Sequence, residues 1–247
     1  MDFFIAIYEL FLYQPIFNLL IFFSQNIPGQ DFGVAVILLT LAVRIVSYPL
    51  GAQAVRAQKR FAELQPKIKE IQEKFKNKKE EQTKAILEMY RTSKVNPFAT
   101  FAPFLMQIPI FIVLYHIFSK GIHVDQLHLL YSFVSVPPMV EVSFLGVLNL
   151  NEQSFALALV AGVLQFVQLK QASPSSKRKK GSKPDIASLM QRQMPYIFPV
   201  LLVWVAANLP SAFGLYLATT TLFSIWQHWF ITRKDHAHAS ETTTPNN

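Results

Sequence analysis

The residue of clearest chemical interest is Arg44, which lies inside an apolar stretch long enough to cross a membrane, residues 32–54 (FGVAVILLTLAVRIVSYPLGAQA). An arginine near the centre of a bilayer costs about 2.5–3.5 kcal/mol on insertion scales, and such residues usually mark a functional site. Thr40, Ser47 and Gly51 recur with Arg44 at helical spacing, so they share one face of a helix. We therefore predict a polar face with a single positive charge in the first membrane span.

The five predicted spans supply no negative charge to pair with Arg44. None of them contains Asp or Glu, whereas neutral polar side chains recur in them. Dry burial of an unpaired guanidinium would be prohibitive, so these residues predict a water-filled cavity around the charge. The neutral polar residues of the predicted spans are Thr40, Ser47, Gln107, Gln165, Gln168, Asn208, Thr219, Thr220, Thr221 and Gln227.

The composition argues against several classes of chemistry. The chain has no cysteine, which rules out thiol catalysis, and it contains no HExxH, GxSxG or Walker motif. A proton relay in a membrane usually uses carboxylates or histidines, and only His116 and His228, both near span ends, qualify here. We expect no enzymatic activity, no cofactor, no metal and no direct binding of nucleic acid. A passive groove remains, whose positive potential would attract acidic or polar segments.

The elements that position these residues follow from hydropathy and charge. The chain has 247 residues, of which 51% are hydrophobic, and a mean hydropathy of +0.28, so it is predicted to be a polytopic membrane protein. Residues 56–94 contain 12 Lys/Arg and residues 170–192 contain 7, whereas residues 1–31 and 121–153 contain none. Because cytoplasmic connections carry the excess of Lys and Arg, this alternation predicts five spans with the N-terminus outside and the C-terminus inside.

The predicted boundaries divide the chain into ten segments. The five spans are residues 32–54, 98–119, 154–170, 194–208 and 211–231. The cytoplasmic parts are a helical hairpin at 56–94, a basic loop at 171–192 and a tail at 232–247. The outer parts are an amphipathic interfacial helix at 1–28 and a connection at 121–153.

Two of these segments have more than one interpretation. Residues 1–28 could form an interfacial helix on the outer face or an additional span, and Pro15 and the polar interruptions favour the interfacial helix. The Lys/Glu-rich hairpin could be a solvated link between spans. It could equally be a mobile basic surface that docks lipid headgroups, nascent chains or a targeting partner.

Several segments together resemble the YidC/Oxa family of membrane protein insertases. The first span reads LLTLAVRIVSYPL (38–50), with the arginine five residues before the proline. The hairpin reads LQPKIKEIQEKFK (64–76), followed by MYRTSKVNPF (89–98) and LMQIPIFIVLYHIF (105–118). The last two spans meet in NLPSAFGLYLATTTLFSIWQ (208–227). The resemblance covers most of the chain.

The resemblance implies an all-α integral membrane protein with five transmembrane helices around a hydrophilic groove that opens to the cytoplasm and to lipid and is closed on the outside. It implies that Arg44 is the groove arginine, that Thr40 lines the groove, and that Gln165 and Tyr216 lie along the path of the substrate. The hairpin would be the mobile element that receives substrate. Together with the polar residues of the spans, the candidate groove or substrate-binding residues are Arg44, Thr40, Ser47, Gln107, Gln165, Gln168, Tyr216 and Thr220.

The leading hypothesis is therefore an insertase or chaperone in the bacterial cytoplasmic membrane. Its implied partners are nascent membrane proteins and the lipid bilayer, with a Sec-type translocon and the ribosome as further candidates. One alternative is an assembly factor that binds helices already inserted in the membrane. The other is an anion channel or transporter that uses Arg44 as a selectivity charge.

Overall fold

The computed structural model describes residues 6–96, 102–120, 128–135, 142–172 and 186–241. Within these ranges it contains eight α-helices and one two-stranded antiparallel β-hairpin. The helices are α1 (Ala6–Asn26), α2 (Phe32–Val46), α3 (Tyr48–Lys74), α4 (Lys79–Thr92), α5 (Ala102–Lys120), α6 (Phe155–Ala172), α7 (Ile186–Ala207) and α8 (Ser211–Glu241). The strands are β1 (Ser143–Phe144) and β2 (Leu148–Asn149).

The fold is that of a mostly helical membrane protein. Among the described residues, α1 and α6 are long and apolar enough to cross a membrane, and α2 with α3 makes a third span if the pair is one bent element. The apolar helices Gln107–Ser119 and Gln193–Ala207 are shorter. Length and composition thus give two or three spans, and the five-span arrangement stays a prediction. Parts of the predicted outer connection, basic loop and tail, at 121–127, 136–141, 173–185 and 242–247, lie outside the described residues.

The predicted first span, 32–54, is divided at Ser47, where α2 ends and α3 begins. Pro49 has no N–H to donate to the carbonyl of Ile45, so a continuous helix would lose a hydrogen bond here. The Ser47 hydroxyl donates to the carbonyl of Val43 at 2.7 Å. Arg44 therefore lies in the last turn of a helix rather than in the middle of one, where the helix dipole favours a positive charge.

The first compact unit of the chain comprises residues 1–47, 105–166 and 198–223. Its core is built from fully buried side chains of four helices, including Phe17 of α1, Val36 of α2, Leu114 of α5 and Phe213 of α8. The rings of Phe111 and Phe213 meet edge to face, with centroids 4.5 Å apart. Such aromatic pairs add stability beyond that of the buried area alone, and this pair holds α5 against α8.

The β-hairpin and the residues after it tie the starts of α2 and α8 together. Asp31 caps α2 by accepting from the N–H of Val34 at 2.8 Å, and its other carboxylate oxygen accepts from the N–H of Leu145 in the hairpin turn. After the second strand, the carbonyl of Glu152 accepts from the N–H of Ser211 at 2.7 Å. The described residues from β1 to Glu152 are therefore fixed to the first residues of two helices.

Helix α1 continues past Pro15, which the sequence interpretation took as an interruption. A π-helical turn at Glu9–Tyr13 precedes Pro15, and its wider hydrogen-bond pattern tolerates a residue without an N–H. The buried Asn18 donates to the carbonyl of Leu129 at 2.8 Å and accepts from the N–H of Tyr131 at 2.6 Å. Asn18 on α1 thus holds the backbone of the segment 128–135. Since α1 is also long enough to span a membrane, both the interfacial helix and the additional span stay possible interpretations of it.

The second compact unit comprises residues 48–104, 167–197 and 224–247. In it, α3 and α4 form a helical hairpin with a small apolar cluster that includes Leu64, Ile68 and Val95. The ring of Phe61 stacks on that of Tyr90, with centroids 5.9 Å apart. These contacts lie on the apolar stripe of the predicted cytoplasmic hairpin and leave its charged residues at the surface.

Candidate functional site

The candidate site is a polar cluster around the guanidinium of Arg44. Its Nε donates to Oγ1 of Thr220 on α8 at 2.5 Å, and one terminal nitrogen donates to Oε1 of Gln107 on α5 at 3.1 Å. Both acceptors are neutral oxygens. The Arg44 side chain is half-buried, and among the described residues the groups that orient its positive charge carry no charge themselves.

Gln107 links this charge to the core. Its amide oxygen accepts from Arg44, while its Nε2 donates to the hydroxyl of Tyr216. Tyr216 is only 2% exposed, so its hydroxyl depends on a protein partner. The amide thus has a fixed orientation, with the oxygen towards the cation and the nitrogen towards the phenol.

Helix geometry brings these four side chains together. Tyr216 and Thr220 are four residues apart on α8 and therefore share a face, and the core residue Phe213 lies on the same face one turn earlier. Arg44 lies 12 residues after Phe32, or about 18 Å along α2 at 1.5 Å per residue. The cluster is therefore far from the end of α2 that the β-hairpin holds.

Two other predicted residues of α2 do not join the cluster through their side chains. The Thr40 hydroxyl donates to the carbonyl of Val36 at 2.6 Å, and Thr40 is buried at 2% exposure. The Ser47 hydroxyl also bonds to its own helix. Thr40 thus packs in the core one helical turn before Arg44, whereas Ser47 is half-buried and lies at the end of α2.

The two glutamines of α6 are in different units. Gln165 belongs to the first unit, where its Oε1 accepts from the Thr221 hydroxyl at a long 3.4 Å. Thr221 is the chain neighbour of Thr220, so Gln165 is connected to the residue next to the arginine's acceptor. Gln168 is half-buried and belongs to the second unit.

The sequence interpretation missed Asp31. This residue caps α2 and holds the hairpin turn with the same carboxylate, and it therefore fixes the helix that carries Arg44. The signal was present, because an Asp directly before an apolar helical run is a typical N-cap. Tyr216 came from the family resemblance alone, since periodicity does not distinguish it from a core aromatic.

The cluster can perform electrostatic work but offers no covalent chemistry. A guanidinium has five N–H groups, and two of them donate to Thr220 and Gln107, so the partly buried cation has further N–H groups with which it can bind a carboxylate or a polar backbone. No nucleophile and base pair is present in it. Among the described residues, no group of three or more His, Asp or Glu is arranged to hold a metal ion.

The chain was compared with known proteins. The family model described as 60Kd inner membrane protein matches residues 22–238. The chain is 30% identical to the membrane protein insertase YidC of Francisella philomiragia subsp. philomiragia over 203 residues. These aligned residues are 82% of this chain and 33% of that protein. It is 31% identical, with the same coverage, to the membrane protein insertase YidC of Francisella tularensis subsp. novicida.

The chain thus spans about a third of the length of these curated relatives. The match to the family model is more extensive, since it covers most of the chain and includes Arg44, Gln107, Tyr216 and Thr220. The apolar helices agree with a protein of the inner membrane. We conclude that this chain belongs to the 60Kd inner membrane protein family, the YidC/Oxa family that its sequence motifs resemble.

Proposed function

We propose that this protein inserts other proteins into the membrane, using Arg44 to receive their polar segments. The observation that carries the proposal is the cation itself, whose two hydrogen-bond acceptors among the described residues, Thr220 and Gln107, are both neutral. A charge held in this way keeps its potential for an incoming group. The family membership and the relatives named as insertases support the same function.

In this proposal the groove around Arg44 is formed by the parts of α2, α5, α6 and α8 that belong to the first compact unit. An acidic or polar tail of the substrate enters it from the cytoplasm and exchanges part of its hydration for contact with Arg44. Two unit charges 4 Å apart gain about 1 kcal/mol in water and about 4 kcal/mol at an effective dielectric constant of 20. The groove thereby lowers the cost of bringing a charged tail into the bilayer.

The apolar segment of the substrate then leaves the groove along α6 and α8 into lipid. Burial of apolar surface drives this step at about 25 cal/mol per Å². The exposed apolar side chains of α6 include Leu159, Val160 and Val163, which supports an apolar surface on this helix along which the segment moves into lipid. The step makes and breaks no covalent bond.

The remaining elements have supporting roles in this proposal. Five spans with the N-terminus outside and the C-terminus inside put the basic segments in the cytoplasm, where the α3–α4 hairpin receives substrate. The bonds that Asp31 and Ser211 make with the β-hairpin region support a groove closed on the outside. A Sec-type translocon and the ribosome are the further partners in this proposal.

Site-specific photocrosslinking tests the proposal. A crosslinker at Gln165 or Ser47, both half-buried, should capture a nascent membrane protein with an acidic tail. The control position is Phe11 on α1, which is 69% exposed and lies on none of the groove helices. Substrate captured at Gln165 and Ser47 but not at Phe11 supports the insertase. Crosslinks to lipid alone at all three positions contradict it, and capture of only fully inserted helices would instead favour the assembly factor.

A further inference from the structure

The turn of the β-hairpin presents two strongly exposed apolar side chains. Val147 is 90% exposed and Leu145 is 67% exposed, which puts both among the most accessible apolar residues of the described part of the chain. They flank Gly146 at the tip of the connection between α5 and α6. The insertase proposal uses neither of them.

Neither backbone conformation nor packing accounts for a leucine at this position. Leu145 and Gly146 have φ values of 54° and 66°, and the N–H of Val147 donates to the carbonyl of Phe144 at 3.1 Å. Two successive positive φ values are typical of a type I′ turn, whose central positions favour Gly, Asn and Asp. Leucine is disfavoured there, and its side chain gains little from the protein because it is mostly exposed.

The turn is held at the level where α2 begins. The carboxylate of Asp31 accepts from both Val34, in the first turn of α2, and Leu145, in the hairpin turn. Phe144 packs against Gly33 so closely that a Cβ at Gly33 would collide with its ring. Since Phe32 is the first residue of the apolar stretch that carries Arg44, this end of α2 marks the boundary between water and hydrocarbon.

The surrounding sequence also suits a lipid surface. Residues 142–151 (VSFLGVLNLN) contain no charged side chain of their own, and the one carboxylate bonded to the turn, that of Asp31, keeps its hydrogen bonds to Val34 and Leu145 when the two apolar side chains enter the headgroup boundary. We infer that Leu145 and Val147 enter the headgroup and acyl boundary of the leaflet at which α2 begins, and that the hairpin is a membrane-surface anchor. This anchor would fix the outer connection relative to the bilayer, independently of any insertase activity.

Fluorescence depth measurement tests this inference on the full chain, which has no native cysteine to interfere. The single variants Val147→Cys and Asn151→Cys are labelled with the environment-sensitive fluorophore NBD and reconstituted in phosphatidylcholine vesicles. Nitroxide-labelled lipids, present in both leaflets, then quench a probe in contact with lipid whatever the orientation of the protein. Both positions are exposed, so neither substitution removes a buried contact.

The inference predicts blue-shifted emission and quenching by shallow nitroxides for the probe at Val147, and neither effect for the probe at Asn151. Adding Leu145→Asp to the Val147→Cys variant should shift the emission back towards that of a probe in water. Emission typical of water at Val147, without lipid quenching, would overturn the inference, and so would equal quenching at both positions. If a protein partner covered the tip instead, the isolated chain in vesicles would give this contradicting result.

Discussion

Replacement of Thr220 by valine removes the acceptor of the shortest hydrogen bond to Arg44 while nearly conserving side-chain volume. Thr221→Val is a matched control, because the two residues are neighbours on α8 and are buried to 4% and 3% exposure. The control loses only a 3.4 Å contact with the neutral Gln165. Changes in helix propensity and in the burial of a hydroxyl group therefore nearly cancel between the two variants. The contact of Thr220 with the Tyr216 hydroxyl is lost only in Thr220→Val, and the comparison of acidic with neutral substrate tails separates that loss from the loss of the bond to Arg44.

The size of the effect of Thr220→Val depends on whether water reaches the Arg44 guanidinium. A hydrogen bond to a charged group is worth about 1.5–3 kcal/mol, but where water can replace the lost partner the net loss is about 0.5–1.5 kcal/mol. The wet groove therefore predicts that Thr220→Val lowers the insertion rate of an acidic-tailed substrate by a factor of about two to twelve, at substrate concentrations below saturation. Thr221→Val should leave that rate within about twofold of the unchanged protein.

The assay is insertion of a substrate into proteoliposomes, measured by protease protection, with thermal unfolding in detergent as a check of folding. Substrates with acidic and with neutral tails are compared for each variant. The reasoning would be refuted if Thr220→Val and Thr221→Val behaved alike. It would also be refuted if Thr220→Val slowed both tails equally, because a defect that ignores the tail's charge is not a defect in the orientation of Arg44.

Three further predictions concern contacts within the first compact unit. Gln107→Leu removes one of the two side-chain partners of the buried Tyr216 hydroxyl, the other being Thr220, and should lower the free energy of unfolding by about 0.5–1.5 kcal/mol; in a double-mutant cycle followed by denaturant unfolding, Tyr216→Phe should cost less in that background than in the unchanged protein. Gly162→Ala puts a methyl group into the side chain of Val203 and should cost about 1–3 kcal/mol in the same measurement, with rescue by Val203→Ala. Asp31→Ala removes the N-cap of α2 and should cost about 0.5–2 kcal/mol, seen as a lower Tm, and Asp31→Asn should cost less because its amide oxygen still accepts. Unchanged stability in Gln107→Leu, no rescue at Val203, or equal losses for the two Asp31 variants would contradict the respective contacts.

The sequence predicts the nature of the site better than its geometry. That Arg44 must find neutral partners follows from the absence of acids in the five predicted spans, and Gln107 and Thr220 are both among the polar residues of those spans. Which of these residues contact the cation depends on how the helices pack, because Gln107 and Thr220 follow Arg44 by 63 and 176 residues along the chain. Periodicity describes one helix at a time and cannot supply that pairing.

Local features were predicted unevenly for a similar reason. Pro49 indicates a break after α2, yet the run of apolar residues around it favours one continuous span. The structure shows the break, because the backbone of Ser47 leaves the helical conformation. The family resemblance implies that Thr40 lines the groove; its hydroxyl donates to the carbonyl of Val36, and the groove role of Thr40 stays a prediction. A leucine with positive φ in the hairpin turn contradicts turn preferences and could not have been anticipated.

The most direct test of the central claim is the charge preference of insertion. Wild type, Arg44→Lys, Arg44→Ala and Arg44→Glu are compared in proteoliposomes with substrates that differ only in an acidic, neutral or basic tail. If Arg44 receives the tail, wild type and Arg44→Lys favour the acidic tail, Arg44→Ala loses the preference, and Arg44→Glu reverses it. An attraction of about 1–4 kcal/mol makes the preference at least about fivefold. Equal preference for the acidic tail in all four proteins would contradict the claim.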